Sequence, residues 1–287
     1  VNAPEQQARQ SGGASVAHTP VGDVTEREVE DIETRSRLRT PVIYEIVRRE
    51  GETEMARPAT SLWWSGVAAG LSISFSSLTQ AILLTHLPDA PWRPLVSALG
   101  YSMGFLLVVL GRQQLFTENT ITVVLPFMAE VSFRNLCRLL RMWGIVFAAN
   151  MTGTLCSALF CTFSSVLPPD IRAGMLQLGH EMMLNGWGAM LFKGVAAGFL
   201  MAAIVWLIPS DEGGQFRVVT ALTWLIAVGG FTHIVAGSVE AFMLVVNGQL
   251  PLAAMLLHFT VPVLIGNVLG GTVLFAVLSY AQIMKEI

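Results

Sequence analysis

The chain has 287 residues, 53% hydrophobic and only 13% charged, with a net charge of −3 and a mean hydropathy of +0.59. A soluble domain carries roughly 25% charged residues, whereas here residues 1–57 hold 8 Arg and 11 Asp/Glu, 19 of the 37 charges in the chain. So few charges cannot cover the rest of a water-facing protein, and the composition predicts an all-α polytopic membrane protein; the net charge and the lack of a basic cluster beyond the tail exclude a nucleic-acid binder, and three Cys exclude a disulfide framework.

Residues 1–37 are rich in Gly, Ser, Gln, Glu and Arg and read as a disordered cytoplasmic tail. Residues 1–30 show no apolar stretch of a secretory signal. Residues 38–57 read as an amphipathic interfacial helix. Thr40-Pro41 provides an N-cap and a first-turn proline, and Val42, Ile43, Ile46 and Val47 form its apolar stripe.

Residues 58–287 read as a six-span transmembrane domain, each span needing about 20 apolar residues. The candidates are Leu62–Leu84, Leu95–Met128, Met142–Val166, Met190–Ile208, Val218–Val246 and Leu256–Tyr280. Two are too long for one straight helix. Span 2 is interrupted at Gly111-Arg112-Gln113-Gln114 and Thr117-Glu118-Asn119, and span 5 at Gly229-Gly230-Phe231-Thr232-His233. A polar break inside an apolar run predicts two half-helices joined at membrane depth, which is tolerated only where the break is buried or lines a cavity. Thirteen Lys/Arg fall on one side of this six-span topology and two, Arg93 and Arg172, on the other, which puts both termini in the cytoplasm.

The two halves resemble each other. Gly66-Val67-Ala68-Ala69-Gly70 in span 1 recurs as Gly194-Val195-Ala196-Ala197-Gly198 in span 4. Phe116-Thr117-Glu118 matches Phe231-Thr232-His233, and Asn150-Met151-Thr152-Gly153-Thr154 resembles the stretch from Asn267 to Thr272, at offsets of 128, 115 and 117 residues. Three spans is an odd number, so the second copy enters from the opposite side: an inverted 3+3 repeat with a pathway at the interface of its halves. Packing of small residues is the simpler role of both glycine-alanine strings.

Few polar residues lie within the spans. Lys193 is either a snorkelling lysine at the membrane edge or a buried cation facing a cavity. Arg112 braces the break in span 2, paired with Glu118. His233 lies where span 5 breaks, and imidazole is the side chain best suited to exchange protons near neutral pH. Thr117, in the other break, is placed to hydrogen-bond it. Half-helix N-termini facing the pathway would add N–H donors and positive dipole ends. No metal-ligand spacing, nucleophilic triad or phosphate loop occurs, so neither a metal, a cofactor nor an enzymatic activity is expected.

Gln114-Leu115-Phe116-Thr117-Glu118-Asn119-Thr120, Phe192-Lys193-Gly194 and Gly230-Phe231-Thr232-His233-Ile234-Val235-Ala236 resemble, in order, the span 2 loop, the Lys-Gly of span 4 and the histidine loop of span 5 of the formate/nitrite transporter family. The similarity covers roughly residues 38–284. It implies an aquaporin-like fold assembled as a homopentamer in a bacterial inner membrane, passing small monovalent anions or their weak acids. It further implies that His233 is the central pathway histidine, Thr117 its partner and Lys193 the buried cation. Leu115 and Phe116 would form an apolar constriction, with Tyr101 and Phe105 as further pathway residues by position. The chain departs from the family at Gly198 and Gly237, where members commonly have Asn, at Thr232, where a carboxylate or amide is common, and at Glu118, where a small or neutral residue is usual. Two other classes stay open: a channel for uncharged solutes on the same fold, favoured by the two glycines and Glu118, and a non-transporting scaffold acting through the tail.

Overall fold

The computed structural model describes residues 38–211 and 213–285; the tail, residues 1–37, lies outside the described residues. All regular structure among the described residues is helical. Helix α1 is Thr40–Ala56. Five helices are long and apolar enough to cross a membrane: α2 (Ala59–His86), α3 (Arg93–Leu110), α5 (Phe133–Phe163), α7 (Trp187–Ser210) and α10 (Leu252–Ile283). Three shorter apolar helices complete the set: α4 (Asn119–Ala129), α8 (Gln215–Val228) and α9 (Ile234–Val246). Span 2 of the sequence is thus α3 plus the short α4, and span 5 is α8 plus α9, both of them shorter than a crossing helix.

Both breaks are made the same way. At the end of α8, Gly230 takes φ 58° while its N–H reaches Ala227 O and the N–H of Phe231 reaches Ile226 O at 2.9 Å. At the end of α3, Arg112 takes φ 49° while its N–H reaches Val109 O and the N–H of Gln113 reaches Val108 O at 3.0 Å. Both are helix ends closed by a left-handed residue, a place that favours glycine. Arg112 fills it with an L side chain, at a penalty of about 1 kcal/mol. Arg112→Gly is therefore expected to raise the melting temperature of the purified protein slightly; an unchanged or lower value would show that the arginine side chain offsets the strain. The predicted pairing with Glu118 does not form: Arg112 is exposed and belongs to none of the ion pairs among the described residues.

The long helices pack in pairs, α2 along α5 and α7 along α10. The recurring small residues lie at these crossings. A Cβ on Gly70 would sit 2.4 Å from Asn150 O, and one on Gly198 would sit 2.2 Å from Asn267 O. Gly198 is therefore closed against the backbone of α10 rather than open to a pathway.

Helix α1 starts with Pro41 in its first turn, where the missing N–H costs nothing. Ile43, Tyr44, Val47, Gly51 and Met55 are buried, with Tyr44 against Tyr280 of α10. Of the predicted stripe, Val42 is exposed and Ile46 half-buried. A Cβ on Gly51 would lie 1.9 Å from Thr122 O, so the helix seats directly on α4. Its polar face carries Glu45, whose carboxyl Arg48 and then Arg49 hold down at about 2. A group with a lowered folded value contributes stability above its unfolded pKa and loses it only as pH falls toward that value, so these pairs persist at physiological pH.

Helix α6 (Pro169–Met183) lies where the sequence predicted only a connection. Ile171, Gly174, Met175 and Gly179 bury its apolar side on α2 and α9.

Candidate functional site

The site is built from the two breaks. His233 is the residue before α9, and its Nδ1 accepts the Ala236 N–H at 3.1 Å, capping that helix. Nδ1 therefore carries no proton, and the ring proton resides on Nε2. Nε2 lies 2.7 Å from Thr117 Oγ1 and donates to it. The predicted pair is thus formed across 116 residues of sequence. His233 is 1% exposed and Thr117 fully buried. Phe105 packs edge-on against the imidazole with ring centres 5.0 Å apart, and Tyr101 lies 5.1 Å from Phe105.

The loops that carry the pair are each held by one asparagine. Asn150 of α5 accepts the Phe116 N–H on Oδ1 at 2.9 Å and donates from Nδ2 to Gly66 O and Gln114 O. Asn267 of α10 accepts the Ile234 N–H on Oδ1 at 2.8 Å and donates from Nδ2 to Gly194 O and Thr232 O. These bonds pair Gln114 with Thr232, Leu115 with His233 and Phe116 with Ile234, an offset of 118 residues rather than the 115 read from Phe-Thr. Arg112 and Gly230, the left-handed residues of the two breaks, share that offset. The two asparagines and the cap also occupy the N–H groups of Phe116, Ile234 and Ala236. Those amides are not free to bind an anion, which limits the donor role expected of the half-helix ends.

On one side of the pair lies a cavity of about 210 Å³. Lys193, His233 and Tyr101 all line it. Lys193 is half-buried, and its Nζ donates to Asn185 Oδ1 at 2.7 Å. Nζ also lies 3.7 Å from where a Gly230 Cβ would be, so the ammonium turns inward to the break in span 5. Gly237 lines the cavity too; a Cβ there would meet Met182 and Phe259 at 2.9 Å. Thr232 lines the cavity as well, and its hydroxyl donates to Met190 O at 2.9 Å.

Leu115, Phe116 and Glu118 are outside this cavity. Leu115 is fully buried, and Phe116 packs edge-on against Trp143 and Phe147 of α5. Glu118 Oε1 is buried without a hydrogen-bond partner. The loop is instead fixed through Gln114, a residue the sequence reading quoted only within a motif. Gln114 Nε2 donates to Glu54 Oε2 of α1 at 2.7 Å, and its Oε1 accepts from Asn119 Nδ2 at 3.1 Å. Arg57 donates to the same Glu54 oxygen at 2.8 Å. The cavity also holds Glu240, the only acid in Val218–Val246, which the sequence reading passed over.

Among proteins of known sequence, the chain is 39% identical to the inner membrane protein YfdC of Escherichia coli (strain K12), over 91% of this chain and 84% of that protein. It is 26% identical to the formate channel FocA of Haemophilus influenzae, over 77% of this chain and 86% of that one. Among solved structures, a pentameric formate channel with formate bound superposes with a TM-score of 0.67 at 17% identity, covering 80% of this chain and 98% of that one. An ion channel of the same family superposes with a TM-score of 0.71 at 19% identity, covering 85% and 98%. These superpositions give the chain the aquaporin-like fold. The formate/nitrite transporter family model matches residues 41–281, nearly the whole described structure, and the chain is a member of the formate/nitrite transporter family.

Proposed function

We propose that the protein passes small monovalent anions such as formate or nitrite, or their conjugate weak acids, across a bacterial inner membrane. In this reading it is a homopentamer with one pathway per protomer and both termini in the cytoplasm. One observation carries the reading: a single cavity joins the Lys193 ammonium to His233 at the break of span 5. The names of FocA and of the formate channel BtFdhC of Bacillus thuringiensis, 24% identical to this chain, support the substrate class. The name of YfdC supports the inner membrane, and the pentameric neighbour supports the assembly. The matching asparagine bonds support an inverted repeat.

The physics favours a neutral passage. Stripping an anion of water in an apolar passage is far more costly than moving its neutral acid. Lys193 raises the local concentration of anions at the cavity by its field. The anion takes a proton there and continues as the acid past the His233–Thr117 bond and the apolar side chains of Phe105, Leu115 and Phe116. His233 provides a fixed polar contact between the cavity and these side chains without adding a charge.

Lys193→Met keeps the length of the side chain and removes the charge. At low substrate, uptake of formate into proteoliposomes is expected to fall about tenfold, the low end of the gain that field focusing provides. Wild-type uptake by this variant would contradict the role of Lys193. Osmotic light scattering with glycerol, run beside it, tests the alternative of a channel for uncharged solutes.

A further inference from the structure

Three of the titratable residues that line the cavity, His233, Lys193 and Tyr101, do not supply a proton. His233 accepts on Nδ1 and spends its Nε2 proton on Thr117, which does not line the cavity. Lys193 would lose its attracting charge by giving a proton away. Tyr101 is a phenol, too weak an acid to serve at neutral pH.

Glu240 meets the requirement. It lies seven residues after His233, two turns along α9, so both project from one face of that helix. It lines the same cavity and is 7% exposed. Its Oε1 accepts the Ser77 hydroxyl of α2 at 2.8 Å, which leaves Oε2 for the cavity. No Lys or Arg among the described residues forms an ion pair with it. The other titratable groups facing the cavity are Tyr101 from α3, Glu181 from α6, Lys193 from α7 and His233 beside α9; α2 contributes Gln80 to the lining and Ser77 as the partner of Glu240. Glu181 is exposed and accepts from Gln177, at the water-facing side of α6. A permanent carboxylate at Glu240 would repel every anion that Lys193 attracts. A carboxyl that cycles its proton serves the same anion.

We propose that Glu240 is the proton-exchange residue of the vestibule, protonating the anion held near Lys193 before it passes His233. The inference rests on the weak-acid reading above. In the step, the O–H bond at Glu240 Oε2 breaks and a bond to the same proton forms on the anion, giving the neutral acid. The carboxylate left behind keeps the Ser77 hydrogen bond, and a hydronium ion from vestibule water restores the acid. No electrons change hands.

The test is formate uptake by the full-length protein in proteoliposomes, with proton entry followed by a trapped pH dye, at mildly acidic and at neutral pH. Glu240→Gln retains an oxygen for Ser77 but has no exchangeable acid proton. Its formate-linked proton entry at acidic pH is expected to fall about tenfold or more, below the 10²–10⁴ span of general acid catalysis, and its rate is expected to lose its dependence on pH. Ser77→Ala removes the tether, keeps the acid, and is expected to keep the wild-type pH profile. A Glu240→Gln protein with the wild-type pH profile and proton-to-formate ratio overturns the proposal alone. Wild-type protein that takes up no weak-acid anion overturns the weak-acid reading and the proposal together.

Discussion

Asn267→Leu is expected to lower sharply both the melting temperature and the recovery of folded protein. The leucine has nearly the shape of asparagine but leaves the Ile234 N–H without its acceptor and Gly194 O and Thr232 O without their donor. Asn267 is fully buried, so no water replaces it. Each orphaned group costs about 1–3 kcal/mol, and the Gly194 carbonyl, inside α7, suffers least. The two groups that suffer most give about 2–6 kcal/mol, a large share of the roughly 5–15 kcal/mol that keeps an ordinary domain folded. Fluorescence-detected size exclusion in mild detergent, with thermal challenge, measures it. Asn150→Leu should act alike, since it holds the other loop by the same three bonds. A wild-type melting temperature for either variant would show that the breaks are held by something other than these asparagines.

His233→Phe is the second large effect. The ring volume is kept, while the Ala236 cap and the Thr117 bond are lost. Loss of a cap costs about 1 kcal/mol, so the variant is expected to fold. Formate uptake at acidic pH is expected to fall about tenfold or more, the scale of a lost polar contact at a desolvated point of passage, while the relative rise on acidification is kept. Uptake at the wild-type rate would assign His233 to packing alone.

The breaks in spans 2 and 5 were readable because glycine and polar residues interrupt apolar runs, and the bilayer forbids such interruptions unless they are buried. The His233–Thr117 contact was readable from these two breaks, whereas Lys193, Tyr101 and Phe105 lie outside them and were named from a lone cation in an apolar run, from position in span 2 and from the family resemblance. The register between the halves was not. Phe116 and Ile234 are equivalent because their N–H groups meet equivalent asparagines, and backbone bonds leave no mark on side-chain identity. The Arg112–Glu118 pair failed because Arg112 takes a left-handed conformation at the end of α3 and points into solvent. Glu240 did leave a signal, one acid in an otherwise uncharged half-helix two turns after the histidine. Helix α6 was hidden because its amphipathic pattern is too weak and too short to mark a span, yet the segment just beyond it supplies Asn185 to Lys193.

The cavity contains two carboxyls, the exposed Glu181 and the buried Glu240, as well as the Lys193 ammonium. In the proposed step the buried one is neutral when the anion arrives. The departures at Gly198 and Gly237 have different meanings. Gly198 is needed for the crossing of α7 and α10, whereas Gly237 lines the cavity and lets the side chains of Met182 and Phe259 come within 2.9 Å of where a Cβ would be.

The most direct test is uptake by wild-type protein in proteoliposomes of formate, nitrite, acetate, lactate and hydrosulfide, in parallel, at acidic and at neutral pH. The account predicts selective uptake of at least one of these anions, faster at acidic pH. Protein shown to be folded and oligomeric that passes none of them at either pH would contradict it.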